Sequence, residues 1–203
     1  MTHPWESPLE GPCEALAASV RAVVPVLETD RLRLRAPQVT DFGAYAAIFM
    51  SERAVYMDGP YDREGAWADF TQAAAGWVLR GLGLWTMERR SDGAIVGFGY
   101  FWQEFGDPEP ELGWALSAGA EGQGYASEAA HAMRAHAFAQ LGEGRVVSYI
   151  DAGNLGSVRI AERLGARRDP ELEALIGDPG LTVWRHGAAG GRGADGAMRG
   201  KRT

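Results

Sequence analysis

The chain has 203 residues, which is enough for one domain with a substantial core that needs neither disulfides nor a structural metal. Its lone cysteine, Cys13, excludes an intramolecular disulfide and favours a reducing compartment, so we expect a cytoplasmic protein. The four histidines are scattered, which argues against a zinc site, and the formal charge of −7 disfavours nucleic acid as the main partner while suiting a cationic substrate.

Residues 1–26 are interpreted as an N-terminal extension. The lead-in up to Gly11 contains prolines and is expected to be irregular, and a short helix is predicted over Pro12–Val23. No basic segment precedes the apolar stretch Ala15–Val26, and Arg21 interrupts it. We therefore expect neither a signal peptide nor a membrane span, and no membrane partner.

A strand followed by two helices is predicted next. Arg31–Arg35 alternates, with two leucines facing inward and the arginines outward. Thr40 or Asp41 can cap a helix, and a second helical pattern covers Arg63–Leu79. The aromatic segment Tyr56–Tyr61 lies between the helices. Its rings can line a pocket for an acceptor or can simply belong to the core.

The middle of the chain predicts a hairpin and then a central strand. Gly83–Arg89 and Ala94–Trp102 flank the pair Asp92-Gly93, which is typical of a tight hairpin turn. A polar connection, Gln103–Pro110, leads to the strand Glu111–Leu116, which alternates in polarity.

A glycine-rich turn at 119–124 connects the central strand to an amphipathic helix, whose apolar residues form one stripe up to Leu141. Glycines between a strand and a helix leave backbone N–H groups pointing into a concavity at the positive end of the helix dipole. Phosphate binds such a place without a cationic side chain. The alternative interpretation is a tight turn without a ligand.

The sequence after Leu141 predicts a parallel strand, a short helix and a closing strand. Arg145–Ile150 is β-rich, and its spacing from the central strand implies a right-handed crossover. Leu155–Leu164 is predicted to be helical, 167–181 to be less regular, and Thr182–Arg185 to be the last strand. The Gly-rich tail, residues 187–203, is predicted to be disordered.

Three segments together resemble the GNAT N-acetyltransferase superfamily. The run from Gly122 to Ala129, GQGYASEA, is similar to its coenzyme A pyrophosphate loop, and the run from Asn154 to Ala166, NLGSVRIAERLGA, is similar to its second cofactor element. The run Thr29–Arg35, TDRLRLR, resembles the opening strand of the RimJ/RimL-like branch, which acetylates N-termini of ribosomal proteins. The resemblance covers roughly residues 27–185 and assigns a single domain to 27–186.

This resemblance implies an α/β fold with a mixed, mostly antiparallel, twisted sheet of six to seven strands flanked by helices. The sheet is expected to splay between Glu111–Leu116 and Arg145–Ile150, with a weak extra strand near Ala166–Arg168. The implied activity is transfer of the acetyl group of acetyl-CoA to a primary amine, either a protein N-terminus or a small molecule. No acyl-enzyme and no metal are expected, and a homodimer is left open.

The resemblance also implies the site residues. The cofactor would contact Trp114, Ala115, Leu116, Glu121, Gly122, Gln123, Gly124, Tyr125, Ala126, Ser127, Asn154, Ser157 and Arg159. The catalytic candidates are Glu111 as base, Ser157 as proton donor to the thiolate, and Tyr149 in proton transfer, with Glu104 and Asp151 as rivals for the base. Glu121 departs from the family pattern, because a carboxylate repels phosphate unless it faces solvent. Asn154 also suits a plain helix N-cap.

Two other function classes compete with this interpretation. A dinucleotide-binding dehydrogenase also places glycines between strand and helix, with Asp151 where a ribose-binding acid would fall. However, Ser127 replaces the third glycine and too few strands follow. A non-catalytic coenzyme A-binding or interaction module is the second alternative, and it would bind coenzyme A without acetylating any amine.

Overall fold

The computed structural model describes residues 3–187, and within them eight strands form one sheet in the order β1-β2-β3-β4-β5-β6-β8-β7. The strands are β1 (Leu27–Glu28), β2 (Leu32–Arg35), β3 (Gly83–Arg89), β4 (Ile95–Trp102), β5 (Glu111–Leu116), β6 (Val146–Asp151), β7 (Arg167–Arg168) and β8 (Leu181–His186). The sheet has one strand more than the predicted six to seven: the weak strand expected near Ala166–Arg168 is present as β7, and the two-residue β1 was not predicted.

The helices follow the predicted pattern with one addition. They are α1 (Pro12–Arg21), α2 (Phe42–Phe49), α3 (Arg63–Arg80), α4 (Tyr125–Leu141), α5 (Leu155–Arg163) and α6 (Pro170–Ile176). The expectation of a less regular segment over 167–181 was wrong for α6. Its signal is local: Asp169 accepts a hydrogen bond from the Leu172 amide at 3.0 Å, and Pro170 occupies the first helical position.

The sheet splays at its centre, as expected. β4 and β5 pair along their whole lengths, whereas β5 and β6, the only parallel neighbours in the described part of the chain, share the single pair Glu111↔Val147. Beyond that pair the two strands diverge and leave an opening. A sheet with one parallel contact is not a doubly wound dinucleotide-binding sheet, so that alternative was wrong.

The hydrophobic core lies on both faces of the sheet. Consecutive strand residues point to opposite faces, and Leu84 and Trp85 accordingly belong to two different buried clusters. Trp85 packs with the α4 stripe, whereas Leu84 packs with α2 and α3. Each fully buried side chain of this size contributes about 1.5–3 kcal/mol. Gly99 permits the close approach of α4, because a Cβ there would lie 2.5 Å from the Met133 sulfur.

Most of the tail predicted to be disordered lies outside the described residues, and the division into an extension and one domain stays a prediction. Between residues 3 and 187, no helix is long and apolar enough to cross a membrane. In the same range, no three His, Cys, Asp or Glu side chains are grouped so that they could hold a metal ion.

Candidate active site at the splay of the sheet

A cleft of about 960 Å³ opens where β5 and β6 diverge. Its walls come from the end of β5, the glycine-rich turn, the first turns of α4 and α5, and the segment between α2 and α3. The predicted cofactor residues that line it are Trp114, Ala115, Leu116, Glu121, Gly122, Gly124, Ala126, Ser127, Asn154, Ser157 and Arg159. The tertiary structure thus brings most of the predicted cofactor set to one place.

The glycine-rich turn presents the amino end of α4 to this cleft. Gly122 and Gly124 have φ of 72° and 82°, in the left-handed region that favours glycine. The first hydrogen bond into the helix runs from the Glu128 amide to the Gly124 carbonyl. The three amides of residues 125–127 therefore have no acceptor within the helix and carry the positive end of its dipole. This arrangement suits a phosphate or pyrophosphate group.

Arg31 supports the turn from behind and was missed by the sequence analysis. Its guanidinium donates to the Gln123 carbonyl at 2.9 Å, forms an ion pair with Glu128 at 2.6 Å, and lies 4.6 Å from the centroid of the Tyr125 ring. Tyr125 is buried, with 5% of its surface exposed, and the side-chain amide of Gln123 donates to the Gly119 carbonyl at 2.6 Å. Both side chains thus serve the turn itself, which leaves their backbone amides as the groups available to a ligand.

Arginine side chains also line the cleft, close to the amino end of α4. Arg159 and Arg163 face it from α5, and Arg163 donates to the Ser127 hydroxyl at 3.0 Å. Arg53, which the sequence analysis did not single out, forms an ion pair with Glu121. Its buried Nε has no hydrogen-bond partner among the described residues. The Glu121 carboxylate is therefore neutralised by Arg53 rather than left to repel an anion.

The open edge of β5 supplies main-chain groups to the cleft. The Pro110 carbonyl accepts from the Val147 amide at 3.0 Å, and the Leu112 carbonyl accepts from the Ser148 hydroxyl at 2.5 Å. Successive residues of a strand turn their peptide groups to opposite sides, so residues 114 and 116 face the same way as 110 and 112. Because β6 has diverged there, those groups are open to a ligand with amides of its own.

Ser148 bridges β5 and β6 where they begin to diverge, and no motif in the sequence indicated this role. Its hydroxyl hydrogen goes to the Leu112 carbonyl, so the His186 Nε2, 2.9 Å from the Ser148 oxygen, must be the donor to that oxygen. His186 is fully buried, and burial lowers the pKa of its imidazole to about 4. The ring therefore stays neutral, and its hydrogen is on Nε2, the nitrogen that donates to the Ser148 oxygen.

Asn154 caps α5 and also faces the cleft. Its Oδ1 accepts from the Ser157 amide at 3.1 Å, which confirms the N-cap. No residue described in the structure accepts from its Nδ2, so capping and ligand binding are compatible. The Ser157 hydroxyl accepts from the Trp114 indole at 3.2 Å. Its own hydrogen remains available for donation.

A second cavity of about 600 Å³ adjoins the cleft on the side of α2, α3 and the 103–110 connection. Six residues line both spaces: Val55, Tyr56, Met57, Trp114, Asn154 and Ser157. A ligand that enters the cleft from the glycine-rich turn therefore ends where the second cavity begins. This geometry allows a ligand in the cleft and a ligand in the second cavity to meet at one point.

Glu111 lies in the wall of the second cavity, at the start of β5. Burial, and then the nearby Asp107 carboxylate, raise the pKa of Glu111 to about 8. A group with such a pKa can accept a proton near neutral pH. The rival Glu104 lines the same cavity, and burial raises its pKa above the usual value. Asp151 also lines it, but its Oδ1 accepts from the Gly153 amide at 2.7 Å.

Tyr149 faces the second cavity with its hydroxyl already bonded. The hydroxyl donates to the Glu109 carbonyl at 3.0 Å and accepts from the Glu109 amide at 3.2 Å. Burial raises the pKa of the phenol above its usual value. The hydroxyl hydrogen of Tyr149 is already donated to the Glu109 carbonyl, whereas that of Ser157 has no acceptor among the described residues, and the role of Tyr149 in proton transfer stays a prediction.

A buried polar network under the second cavity was not foreseen from the sequence. The Tyr45 hydroxyl donates to Asp69 and lies 2.7 Å from the Tyr100 hydroxyl. These residues come from α2, α3 and β4. Burial raises the pKa of Asp69 above its usual value, while its hydrogen bond with Tyr45 opposes that rise. The network joins the two helices to the sheet beside the cavity.

Comparisons with known proteins agree with this geometry. A model of the acetyltransferase (GNAT) domain matches residues 31–167. The crystal structure of the acetyltransferase from Agrobacterium tumefaciens str. C58 is similar with a TM-score of 0.75 and 38% identity, over 81% of this chain and 95% of that one.

Two further proteins are similar over different lengths. The uncharacterized N-acetyltransferase YnaD of Bacillus subtilis (strain 168) is 30% identical over 87 residues, which are 43% of this chain and 51% of YnaD. The chain therefore matches about half the length of that curated relative. The ribosomal L7/L12 α-N-protein acetyltransferase RimL, solved with coenzyme A, has a TM-score of 0.63 at 18% identity, covering 80% of this chain and 98% of RimL. That likeness shows the fold alone.

Proposed function

This chain belongs to the GNAT acetyltransferase family, and we propose that it transfers the acetyl group of acetyl-CoA to a primary amine by direct attack within a ternary complex. The observation that carries the proposal is the meeting of the two cavities at Trp114, Asn154 and Ser157. One cavity ends in phosphate-binding features and the other is lined by carboxylates. An amine and a thioester held in them would meet at that junction.

The cleft fits coenzyme A at each of its chemical parts. The helix amides of 125–127, with Arg53, Arg159 and Arg163 nearby, suit the phosphates. The main-chain groups of Trp114 and Leu116 and the free Nδ2 of Asn154 suit the amides of a pantetheine arm. Acetyl-CoA, when bound, supplies the activated acetyl group. RimL, whose structure contains coenzyme A, shares this fold, which supports the same co-substrate here.

Glu111 acts in this proposal as the general base. An amine is protonated near neutral pH, since its usual pKa is about 10, and it must lose a proton before or during attack. The Glu111 carboxylate, with its pKa near 8, can take that proton at the entrance of the splay. The Ser157 hydroxyl, whose oxygen accepts from the Trp114 indole, then passes its hydrogen to the departing thiolate and regains a proton from solvent, while Glu111 releases the amine proton to solvent.

The proposal is tested by a screen of amine acceptors that follows free thiol release from acetyl-CoA. Peptides with free N-termini, including those of ribosomal proteins, represent the RimJ/RimL-like branch, and small amines represent the alternative. Thiol release that depends on an amine, with an acetylated product in the mass spectrum, is the expected result. Tight coenzyme A binding by calorimetry without turnover of any amine would instead identify a non-catalytic coenzyme A-binding module.

A further inference from the structure

We propose that the acceptor is a small molecule carrying two or more ammonium groups, such as a linear polyamine or an amino sugar with several amines. The inference rests on the proposed acetyl transfer to an amine and narrows its acceptor class. It comes from the lining of the second cavity, which we call the acidic cavity. Seven carboxylates line it: Asp58, Asp69, Glu104, Asp107, Glu111, Asp151 and Asp178.

No basic side chain balances these charges. The described residues that line the acidic cavity include no lysine, arginine or histidine. None of the seven carboxylates takes part in an ion pair with another described residue, whereas ten ion pairs are formed elsewhere in that part of the chain. Unpaired carboxylates grouped around one cavity disfavour one another unless a cation enters.

Neighbouring carboxylates show that arginine is available close by but is not directed into the cavity. Arg185 forms ion pairs with both Glu109, at 2.7 Å, and Asp169, at 2.6 Å, just outside the acidic cavity. The cofactor cleft on the other side of the junction contains Arg53, Arg159 and Arg163. Charge is therefore divided sharply between an anion-binding cleft and a cation-binding cavity.

The number and placement of the carboxylates indicate more than one bound ammonium. The amine that reacts must lie at the junction beside Trp114 and Ser157, in the cavity whose wall contains Glu111. Asp69, on α3, and Asp107, in the connection before β5, come from other walls. A single ammonium needs only one or two carboxylates, so the others remain for a second and third cation.

The environment of these acids supports the same conclusion. Burial comes first among the causes that raise the pKa of Glu104 and Asp107, and neighbouring carboxylates add to it. Aromatic side chains also line the acidic cavity, including Tyr61 and Trp102, and rings attract ammonium groups through their faces. A peptide N-terminus brings one ammonium followed by neutral backbone, so it leaves most of this charge unmatched.

The test compares matched acceptors in the thiol-release assay. n-Butylamine, 1,4-diaminobutane, spermidine and a peptide with a free N-terminus and neutral side chains are compared at equal ionic strength. We expect kcat/KM to rise at least tenfold from the monoamine to the diamine and further to spermidine, and to fall with added salt. Equal values for monoamine and diamine, or a preference for the peptide, would overturn the inference while leaving amine acetylation intact. No turnover of any amine, with coenzyme A still bound, would overturn the proposed function instead.

Single neutralising variants locate the second ammonium. Asp107→Asn keeps the oxygen that accepts from the Glu104 amide at 2.8 Å, and Asp69→Asn keeps an acceptor for Tyr45. Each should lower the ratio of kcat/KM for 1,4-diaminobutane to kcat/KM for n-butylamine several-fold. This ratio removes any effect that both amines share, such as a change at Glu111, whose pKa Asp107 also raises. Glu143→Gln, an exposed carboxylate outside the cavity, is the matched control and should leave the ratio unchanged. If one variant fails to fold, the other decides; equal effects on both amines would count against the inference.

Discussion

At the scale of the residue, Glu111 has a local environment that makes a direct kinetic prediction. Because burial raises its pKa to about 8, the carboxyl is largely protonated at pH 7, and the basic form grows as the pH rises. The pH profile of kcat/KM should therefore show an acidic limb near 8. Glu111→Gln should lower kcat by about 10²- to 10⁴-fold, remove that limb and leave the Kd for coenzyme A unchanged.

Deprotonation of the substrate ammonium produces a second limb in the pH profile of kcat/KM. Acceptors whose amines differ in pKa distinguish this limb from that of Glu111. A limb that moves with the acceptor belongs to the amine, and one that stays belongs to the enzyme. Full activity with an unchanged profile in Glu111→Gln would make this residue a plain strand residue, and Glu104 would then be tested in the same way.

Asn154 combines two roles that one substitution can separate. Asn154→Asp keeps an oxygen to cap the Ser157 amide, but it loses the Nδ2 donor and adds negative charge beside the cleft. The melting temperature should change little, while the Kd for coenzyme A should rise about tenfold. A lower melting temperature with unchanged binding would mean that the residue serves α5 alone.

At the scale of the element, the glycine-rich turn determines whether α4 can receive a pyrophosphate. Gly124→Val places a branched side chain at a φ of 82°, which costs about 1–2 kcal/mol, at a residue that lines the cleft and where a Cβ would lie 3.5 Å from the Arg31 guanidinium that holds the turn. Calorimetry should show most of the coenzyme A affinity lost in a protein that still folds.

Gly81→Val is the matched control for that substitution. Gly81 follows α3, has φ 72° and ψ 18° compared with 82° and 3° at Gly124, and a Cβ there would meet no heavy atom within 4 Å. It imposes a similar backbone strain away from the cleft, so it should lower stability by a similar amount and leave the Kd for coenzyme A unchanged. Equal affinity losses in both variants would mean that strain, and not proximity to the ligand, explains the result.

At the scale of the whole molecule, the acidic cavity should make stability depend on pH. A carboxyl whose folded pKa is raised contributes stability that is fully present below its unfolded pKa, 4.5 for Glu111, and is lost as the pH rises through about 8. The Glu111→Gln variant has no ionisable carboxyl at this position, so it does not lose this stability as the pH rises. Its free energy of unfolding relative to the parent protein should therefore improve between pH 5 and pH 9, by on the order of 1–2 kcal/mol for this partly exposed group.

Urea melts of both proteins at pH 5, 7 and 9 measure this difference, with Glu143→Gln as the control that should show no trend. The burial of Asp69, Glu104 and Asp107 raises their pKa values too, so part of the pH dependence should remain in the variant. A stability difference that is flat from pH 5 to pH 9 would show that Glu111 ionises normally in the folded protein.

The sequence alone determined the features whose physical cause is local. Alternation in Leu32–Arg35, the Asp92-Gly93 turn and the α4 stripe each depend on a few adjacent residues, and the structure confirms these elements. The glycine pattern before α4 likewise follows from backbone sterics, and both glycines have the positive φ that it implied. The capping signal of α6 was present as well, in Asp169-Pro170, and the sequence analysis overlooked it.

Only the tertiary structure decided which distant side chains meet. Arg53 and Ser148 carry no motif, and the strand motif that contains Arg31 does not reveal its partner, because the three residues depend on partners 68, 36 and 97 residues away. The acidic cavity gathers carboxylates from several separate elements, and no spacing along the chain could show that they share one volume without a counter-ion. Loop closure and packing bring such residues together after the local structure is formed, and so their electrostatics belong to the fold rather than to any segment.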